Sequence, residues 1–332
     1  MRMCRCSDCP AIICCLVAIA FCGSAQAVSY KYMRAGNKQD VGTTPDAGTA
    51  LMGGGSDLDE AFRWLCQRAH GGDFLVLRAR GNDKCNAYVQ GMCPLNSVAT
   101  LVIPNRKAAT DPQVADIIRH AEAIFIAGGD QARYIKFWQG TPVQDALNAH
   151  IAASEPIGGT SAGLAVLGEF TFAALHDSGI SKDVLRNPFN RHVTLTRAFL
   201  KVPYMENVIT DSHFVARDRL GRTLVFLARL SQDCEAKDPR AIAVDEKAAA
   251  LVEQDGQLRV VGDGPVYFLK TTTPPETCRP RTPLTFRSID VYRAPPGGHF
   301  NLANWTGDGG RDYVLSVEQG LIHSTQSGGS AY

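Results

Sequence analysis

Between residues 50 and 160, short apolar runs alternate with stretches whose apolar positions recur at helical spacing. Ala50-Leu51-Met52 runs into Gly53-Gly54-Gly55, and Ser56-Asp57 then offers a cap for a helix reaching about Arg68. Residues 74–77 and 101–104 predict the next strands. A helix over residues 114–121 precedes a strand over 123–127, and a helix over 143–153 leads to Pro156-Ile157. Strands apolar on both faces and separated by helices predict an α/β protein, with a parallel sheet covered on both sides.

From about Ala241 the pattern changes. Ala250-Leu251-Val252 and Leu258-Arg259-Val260-Val261 flank Asp255-Gly256, a hairpin signal. The Pro-rich residues 271–283 predict a loop. Further β-type runs lead to a Gly/Ser-rich end at Tyr332, expected to fray. The expected organisation is a leader over 1–27, a principal domain over 28–270, and a β-rich C-terminal extension of that domain over 271–332.

Composition adds exclusions. The 332 residues can bury a large core, and 45% hydrophobic with 20% charged residues suits a globular chain. A net charge of +1 leaves no basic footprint for nucleic acid. Arg2 and Arg5 precede an apolar run over 11–22 and then Ser24-Ala25-Gln26-Ala27. This predicts a secretory signal cut after Ala27, a secreted or periplasmic product, and no stable membrane anchor afterwards. Six of the 11 cysteines would leave with it, namely Cys4, Cys6, Cys9, Cys14, Cys15 and Cys22. Export permits disulfides: Cys85 with Cys93 could close a small loop and Cys234 with Cys278 is a second candidate, Cys66 reads as a buried thiol, and the pairing among the five stays open at this point.

Candidate chemistry gathers at strand ends. Gly53-Gly54-Gly55, Gly128-Gly129 and Gly158-Gly159 each close a strand, where ligands of open α/β sheets bind and the backbone must approach closely. Gly159-Thr160-Ser161-Ala162-Gly163 fits G-x-S-x-G, in which small neighbours allow a strained strand-to-helix turn that lifts the serine hydroxyl clear. A base is needed, and His213 closes the strand-like Val208-Ile209-Thr210-Asp211-Ser212 just before a helix. Glu246 or Asp245, at the end of Ala241-Ile242-Ala243-Val244, would orient it. That order, serine, histidine, acid, differs from the α/β-hydrolase order, which would require His299 or His323 as base. Asp57, Asp59 and Glu60 follow the first glycine cluster as a helix start favours. No His/Cys ligand set or P-loop lysine accompanies them, so neither metal nor cofactor is expected.

Several motifs together carry a resemblance. Gly128-Gly129-Asp130-Gln131, Gly159-Thr160-Ser161-Ala162-Gly163, Asp211-Ser212-His213-Phe214 with Arg217, Arg219-Leu220-Gly221-Arg222, and Val244-Asp245-Glu246 resemble peptidase family S51, its cyanophycinase branch above all. The likeness covers about residues 48–265. It implies a three-layer α/β/α fold with a mostly parallel sheet, like class I glutamine amidotransferases. Carried over by motif, it makes Ser161 the nucleophile, His213 the base and Glu246 the orienting acid. Ala162 N–H would hold the oxyanion together with a backbone N–H of Gly128 or Gly129.

The same resemblance implies a substrate pocket of Gln131, Asp211, Ser212, Arg217, Arg219 and Arg222. It implies an aspartyl or β-aspartyl-arginine peptide as partner, with cyanophycin cut to β-Asp-Arg dipeptides. Arg219 and Arg222 lie one helical turn apart while Arg217 lies opposite Arg219, so the three share a face only if the helix begins after Arg217. Where this branch usually has D-Q-H-F, this chain has Ser212 in place of the glutamine, which puts specificity in question. An isoaspartyl or aspartyl dipeptidase is the alternative within the family. A catalytically silent amidotransferase-like binding protein is the alternative outside that chemistry, and a homodimer is a further open expectation.

Overall fold

A computed structural model describes residues 29–233 and 235–332. The expected signal segment and the Cys234 half of a cysteine pairing lie outside the described residues. The strands form two mixed sheets, of ten and eight strands. In the first, Ser97–Val102, Asp73–Arg78, Ala123–Ile126, Ile157–Thr160 and Thr49–Met52 lie side by side and parallel, in that order. In the second, Phe170–Phe172, Val208–Asp211 and Arg240–Val244 are parallel.

Antiparallel strands flank both parallel groups. Lys31–Gly36 closes one edge of the first sheet, and Ala248–Val252, Gln257–Gly262, His299–Asn301 and Thr306–Asp308 extend the other. In the second, Val266–Lys270, Phe286–Ala294, Arg311–Glu318 and Leu321–Ser324 add successively beyond Arg240–Val244. The expected mostly parallel sheet is therefore corrected to two mixed sheets. The physical reason is connection length. A parallel neighbour needs a crossover of a dozen or more residues, whereas tight turns such as Asp255-Gly256, with Gly256 at φ 83°, reverse the chain.

Strand alternation sorts side chains into separate cores. Phe74, Val76, Phe125, Ala50 and Met52 pack against Phe62 and Leu65 of the helix Asp59–Arg68. Leu75, Leu77, Ile124, Ile126 and Leu51 point the other way, toward Val114 and Ile118 of Pro112–Arg119, Leu147 of Pro142–Ala152, and Val244 and Phe268 of the second sheet. The far face of the second sheet packs on the helix Leu220–Gln232 through Leu224, Leu227 and Phe226.

Several local expectations change. The helix Asp59–Arg68 starts after Leu58 with no side-chain cap, so Ser56-Asp57 is not its cap. The run after Ser161 makes only the short 3₁₀ turn Leu164–Val166, because Gly163 is pinned against the strand Ala123–Ile126. The end of the chain is moored where fraying was expected. The Tyr332 ring meets Phe214 and Tyr267 edge-on, its hydroxyl accepts from Leu220 N–H at 3.1 Å, and it donates to Asp218 at 2.9 Å.

The cysteine expectations change as well. Cys66 is disulfide-bonded to Cys93 across a sequence separation of 27, with their Cα atoms 6.0 Å apart, and Cys85 is free. Sequence proximity favoured Cys85, but the helix Asp59–Arg68 brings Cys66 to the loop that holds Cys93.

Candidate active site

The parallel strands of both sheets deliver their C-terminal ends to one place. Register aligns Met52 with Thr160 and Ile126 with Gly159, so Gly53, Ser161 and the Ala127-Gly128 segment emerge side by side. Asp211 aligns with Ala243 in the second sheet. Asp245-Glu246-Lys247 then crosses from the second sheet into Ala248–Val252 of the first. Three backbone bonds join these ends: Ser161 N–H donates to Met52 O at 3.1 Å, His213 N–H to Gly53 O at 2.8 Å, and Lys247 N–H to Gly54 O at 2.9 Å.

These joints bring together the three residues singled out by motif. Ser161 Oγ lies 2.7 Å from His213 Nε2, and His213 Nδ1 lies 2.5 Å from Glu246 Oε1. Ser161 and His213 both adopt left-handed backbone, at φ 54° and 49°, a conformation that persists only where surrounding structure fixes it. The glycines show how it is fixed. A Cβ on Gly159 would come within 2.5 Å of Gly163 C, and one on Gly163 would overlap Ile126 O. The two glycines of the pentapeptide are thus required by backbone crossing backbone at the turn.

Gly54 performs a similar service for the base. Its φ is 98°, and a Cβ there would stand 2.6 Å from His213 Nε2. Gly55 faces the Glu246 side chain in the same way, with a Cβ position 3.1 Å from Glu246 Cβ. The first glycine cluster therefore forms the wall behind the base and the acid. Asp245, the other candidate acid, turns elsewhere: its Oδ1 accepts from Val215 N–H and Ala216 N–H, both at 3.0 Å. His299 and His323 are exposed residues on the strands His299–Asn301 and Leu321–Ser324.

Electrostatics follow from this placement. Burial pushes the His213 imidazole below its usual pKa, helped by the positive charges of Arg217 and Arg219 and opposed by its bond to Glu246. Glu246 is held below the usual carboxylate range, first by the bond from His213 and then by the nearby positive charges. The neutral imidazole, with one nitrogen on a carboxylate and the other on a hydroxyl, has the arrangement that takes a proton from the hydroxyl.

Gly128 borders Ser161, since a Cβ on it would lie 3.5 Å from Ser161 Cβ. Gly129, at φ 154°, follows it, and Ala162 is buried directly after the serine. Tyr134 was not singled out from the sequence, yet it sits under this turn, its hydroxyl donating to Ala127 O at 2.7 Å and reaching Gly128 O at 3.4 Å. Its aromatic character in the helix Gln131–Trp138 was the only sequence signal available. Ser161 is followed by the single 3₁₀ turn Leu164–Val166 in place of a helix of several turns.

The expected substrate residues divide. Gln131 opens its helix beside the strand Phe170–Phe172, its amide 3.5 Å from Phe172 O. Arg217 lies on the surface, Nε 3.6 Å from Glu246 Oε1. Asp211 and Arg222, by contrast, are both buried and bound to each other. Arg222 Nε donates to Asp211 Oδ2 at 2.9 Å, its Nη2 meets Oδ1, and Thr223 Oγ1 donates to Oδ2 at 2.9 Å. Burial pushes the Asp211 pKa up, but the Arg222 and Arg219 charges with these bonds outweigh it and leave it lowered. Asp211 and Arg222 thus spend their charges on each other in the interior. Ser212 is also buried, and Arg219 holds it.

Among the described residues no group of three or more His, Cys, Asp or Glu side chains is placed to hold a metal ion, and no helix is long and apolar enough to cross a membrane.

Residues 96–186 match the model of peptidase family S51, a span that contains Gly128-Gly129 and Ser161. The chain is 29% identical over 210 residues to a cyanophycinase of Trichormus variabilis, covering 62% of this chain and 65% of that protein. It is 32% identical over 213 residues to a cyanophycinase of Synechococcus elongatus, covering 62% of this chain and 61% of that one. The chain thus matches a little under two thirds of the length of these relatives. In fold it resembles the crystal structure of a peptidase from an acI-B1 Actinobacterium, at a TM-score of 0.51 and 17% identity, covering 78% of this chain and 98% of that one. These matches support a likeness to peptidase family S51, on its cyanophycinase-like branch.

Proposed function

We propose that the chain is a serine exopeptidase that hydrolyses β-linked aspartyl peptides, with cyanophycin the first substrate to test. The observation that carries this is the continuous hydrogen-bond chain Ser161–His213–Glu246, at 2.7 and 2.5 Å. In this reading Ser161 Oγ attacks the scissile carbonyl carbon while its proton passes to His213 Nε2, and Glu246 stabilises the resulting imidazolium. Backbone N–H groups of Ala162 and of Gly128 or Gly129 take the oxyanion. The carbon–nitrogen bond then breaks, the leaving amine takes the proton from His213, and an acyl-Ser161 ester remains. Water, deprotonated by His213, attacks that ester, and the carboxylic acid product departs as Ser161 regains its proton.

The same proposal takes the fold as related to class I glutamine amidotransferases and residues 271–332 as an extension of one domain. In its support, Phe286–Ala294 and His299–Asn301 join the two sheets that also hold the site. It includes export after cleavage at Ala27, and the Cys66–Cys93 bond favours an oxidising compartment. A second reading, an isoaspartyl or aspartyl dipeptidase, is favoured by Ser212 and by the engagement of Asp211 with Arg222, which leave no acid there for a substrate guanidinium. The hydrogen-bonded triad speaks against a silent binding protein.

Incubation with cyanophycin granules, and separately with isoaspartyl dipeptides, followed by mass analysis of products tests the substrate. β-Asp-Arg released from granules supports the first reading, and cleavage of the dipeptides alone supports the second. Products from neither would overturn the substrate assignment.

A further inference from the structure

Of the three arginines that follow His213, each does a different job in this structure. Arg222 is locked in the interior on Asp211. Arg217 keeps 54% of its side chain exposed beside Glu246. Arg219 keeps only 12%. Its Nη1 donates to Ser212 O at 2.8 Å and to Ser212 Oγ at 3.1 Å, and stands 3.6 Å from Asp211 Oδ1.

The Ser212 carbonyl belongs to the peptide that leads into His213. Ser212 N–H, one peptide earlier, donates to Asp211 Oδ1 at 2.8 Å, and His213 N–H donates to Gly53 O at 2.8 Å. Both edges of the Ser212–His213 peptide are thereby held, the carbonyl by Arg219 and the N–H by Gly53. His213 is left-handed at φ 49°, so this peptide must keep its orientation for the imidazole to stay between Ser161 and Glu246. The hydroxyl of Ser212 gives the same guanidinium nitrogen a second acceptor on the residue it is holding. A glutamine here would carry its amide oxygen and nitrogen two bonds further from the backbone and would not supply this short-range acceptor.

We propose that Arg219 is a positioning residue for His213, drawn out of the substrate pocket by Ser212, and that Arg217 alone of the three offers its charge to a substrate carboxylate. The proposal rests on the Ser161–His213–Glu246 reading and deepens it. Its chemical consequence is that, of these three arginines, Arg217 presents the accessible charge, beside Glu246, suited to a small substrate bearing a single carboxylate near the scissile bond.

The test compares labelling of Ser161 by a neutral diphenyl phosphonate and by an analogue carrying a carboxylate. Arg219→Gln is expected to slow the maximal labelling rate with both reagents equally, by about ten- to a hundredfold, as misplacement of a catalytic group does. Arg217→Gln is expected to weaken apparent affinity for the carboxylate reagent alone. Ser212→Ala, a milder change that keeps the Ser212 carbonyl, is expected to slow both reagents by a few-fold. Loss of affinity for the carboxylate reagent in Arg219→Gln, with its maximal rate unchanged, would overturn the proposal, because Arg219 would then be a substrate contact. Should Arg219→Gln not fold, Ser212→Ala decides by the same split.

A second readout needs no turnover. The His213 Nδ1 proton shared with Glu246 is expected far downfield in the proton NMR spectrum of the wild type, and shifted or broadened in Arg219→Gln and Ser212→Ala. If the wild type takes no label, the nucleophile reading has failed, and this resonance decides the positioning role. An unchanged resonance in both variants overturns it.

Discussion

Gly54→Ala would act directly on the imidazole of His213. Its Cβ would stand 2.6 Å from His213 Nε2, the nitrogen that meets Ser161 Oγ. Ordinary carbon–nitrogen contact needs about 3.4 Å or more, so the imidazole must retreat by close to 1 Å. The 2.7 Å bond to Ser161 then opens beyond hydrogen-bond range. A displacement of that size in a catalytic group reduces turnover by about a hundredfold. Gly54 is also left-handed at φ 98°, so alanine adds backbone strain of about 1–2 kcal/mol. The assay is the maximal rate of Ser161 phosphonylation beside a thermal melt. A folded Gly54→Ala protein that labels within about threefold of wild type would refute the reasoning, since misplacement of this order should cost far more.

Three further outcomes rest on the same geometry. The acid limb of the labelling rate should have its midpoint below the ordinary imidazole value of 6.5, because burial and the two arginines depress His213, and Arg217→Gln should raise that midpoint; a wild-type midpoint at or above 6.5 contradicts this. Arg222→Met leaves Asp211 buried without its main partner and should destabilise the fold by about 3–5 kcal/mol in urea unfolding, whereas an unchanged midpoint would show the pair to be dispensable. Replacing Cys66 and Cys93 by serine removes a closure over 27 residues and should reduce stability by about 3–4 kcal/mol without slowing labelling, as the pair lies off the site.

The parallel strands were legible because apolar runs closed by glycines leave few alternatives, and Gly53, Gly128 and Gly159 marked the edge where the site forms. Ser161 and His213 could be named because each lies just past the end of a strand, whereas strand position alone did not separate Glu246 from Asp245 and the family motif was needed. The roles of Asp211 and Arg222 could not be named, since a one-dimensional motif does not say which way a strand-end side chain points, and here both point inward to each other. The choice between Asp245 and Glu246 was illegible from strand position for the same reason: adjacent residues face opposite ways, and only the crossover between sheets turns Glu246 to the imidazole. Cys66–Cys93 and Tyr134 depend on how helices pack, which hydrophobic periodicity predicts only in outline.

The central claim is that Ser161 is a nucleophile activated by His213. Its most direct measurement is peptide mass mapping after reaction of the intact protein with an aryl fluorophosphonate. A single adduct on the peptide carrying Ser161, absent in Ser161→Ala and formed far more slowly in His213→Ala, is the result expected. A folded wild-type protein that takes no adduct, or takes it on another serine, would contradict the account.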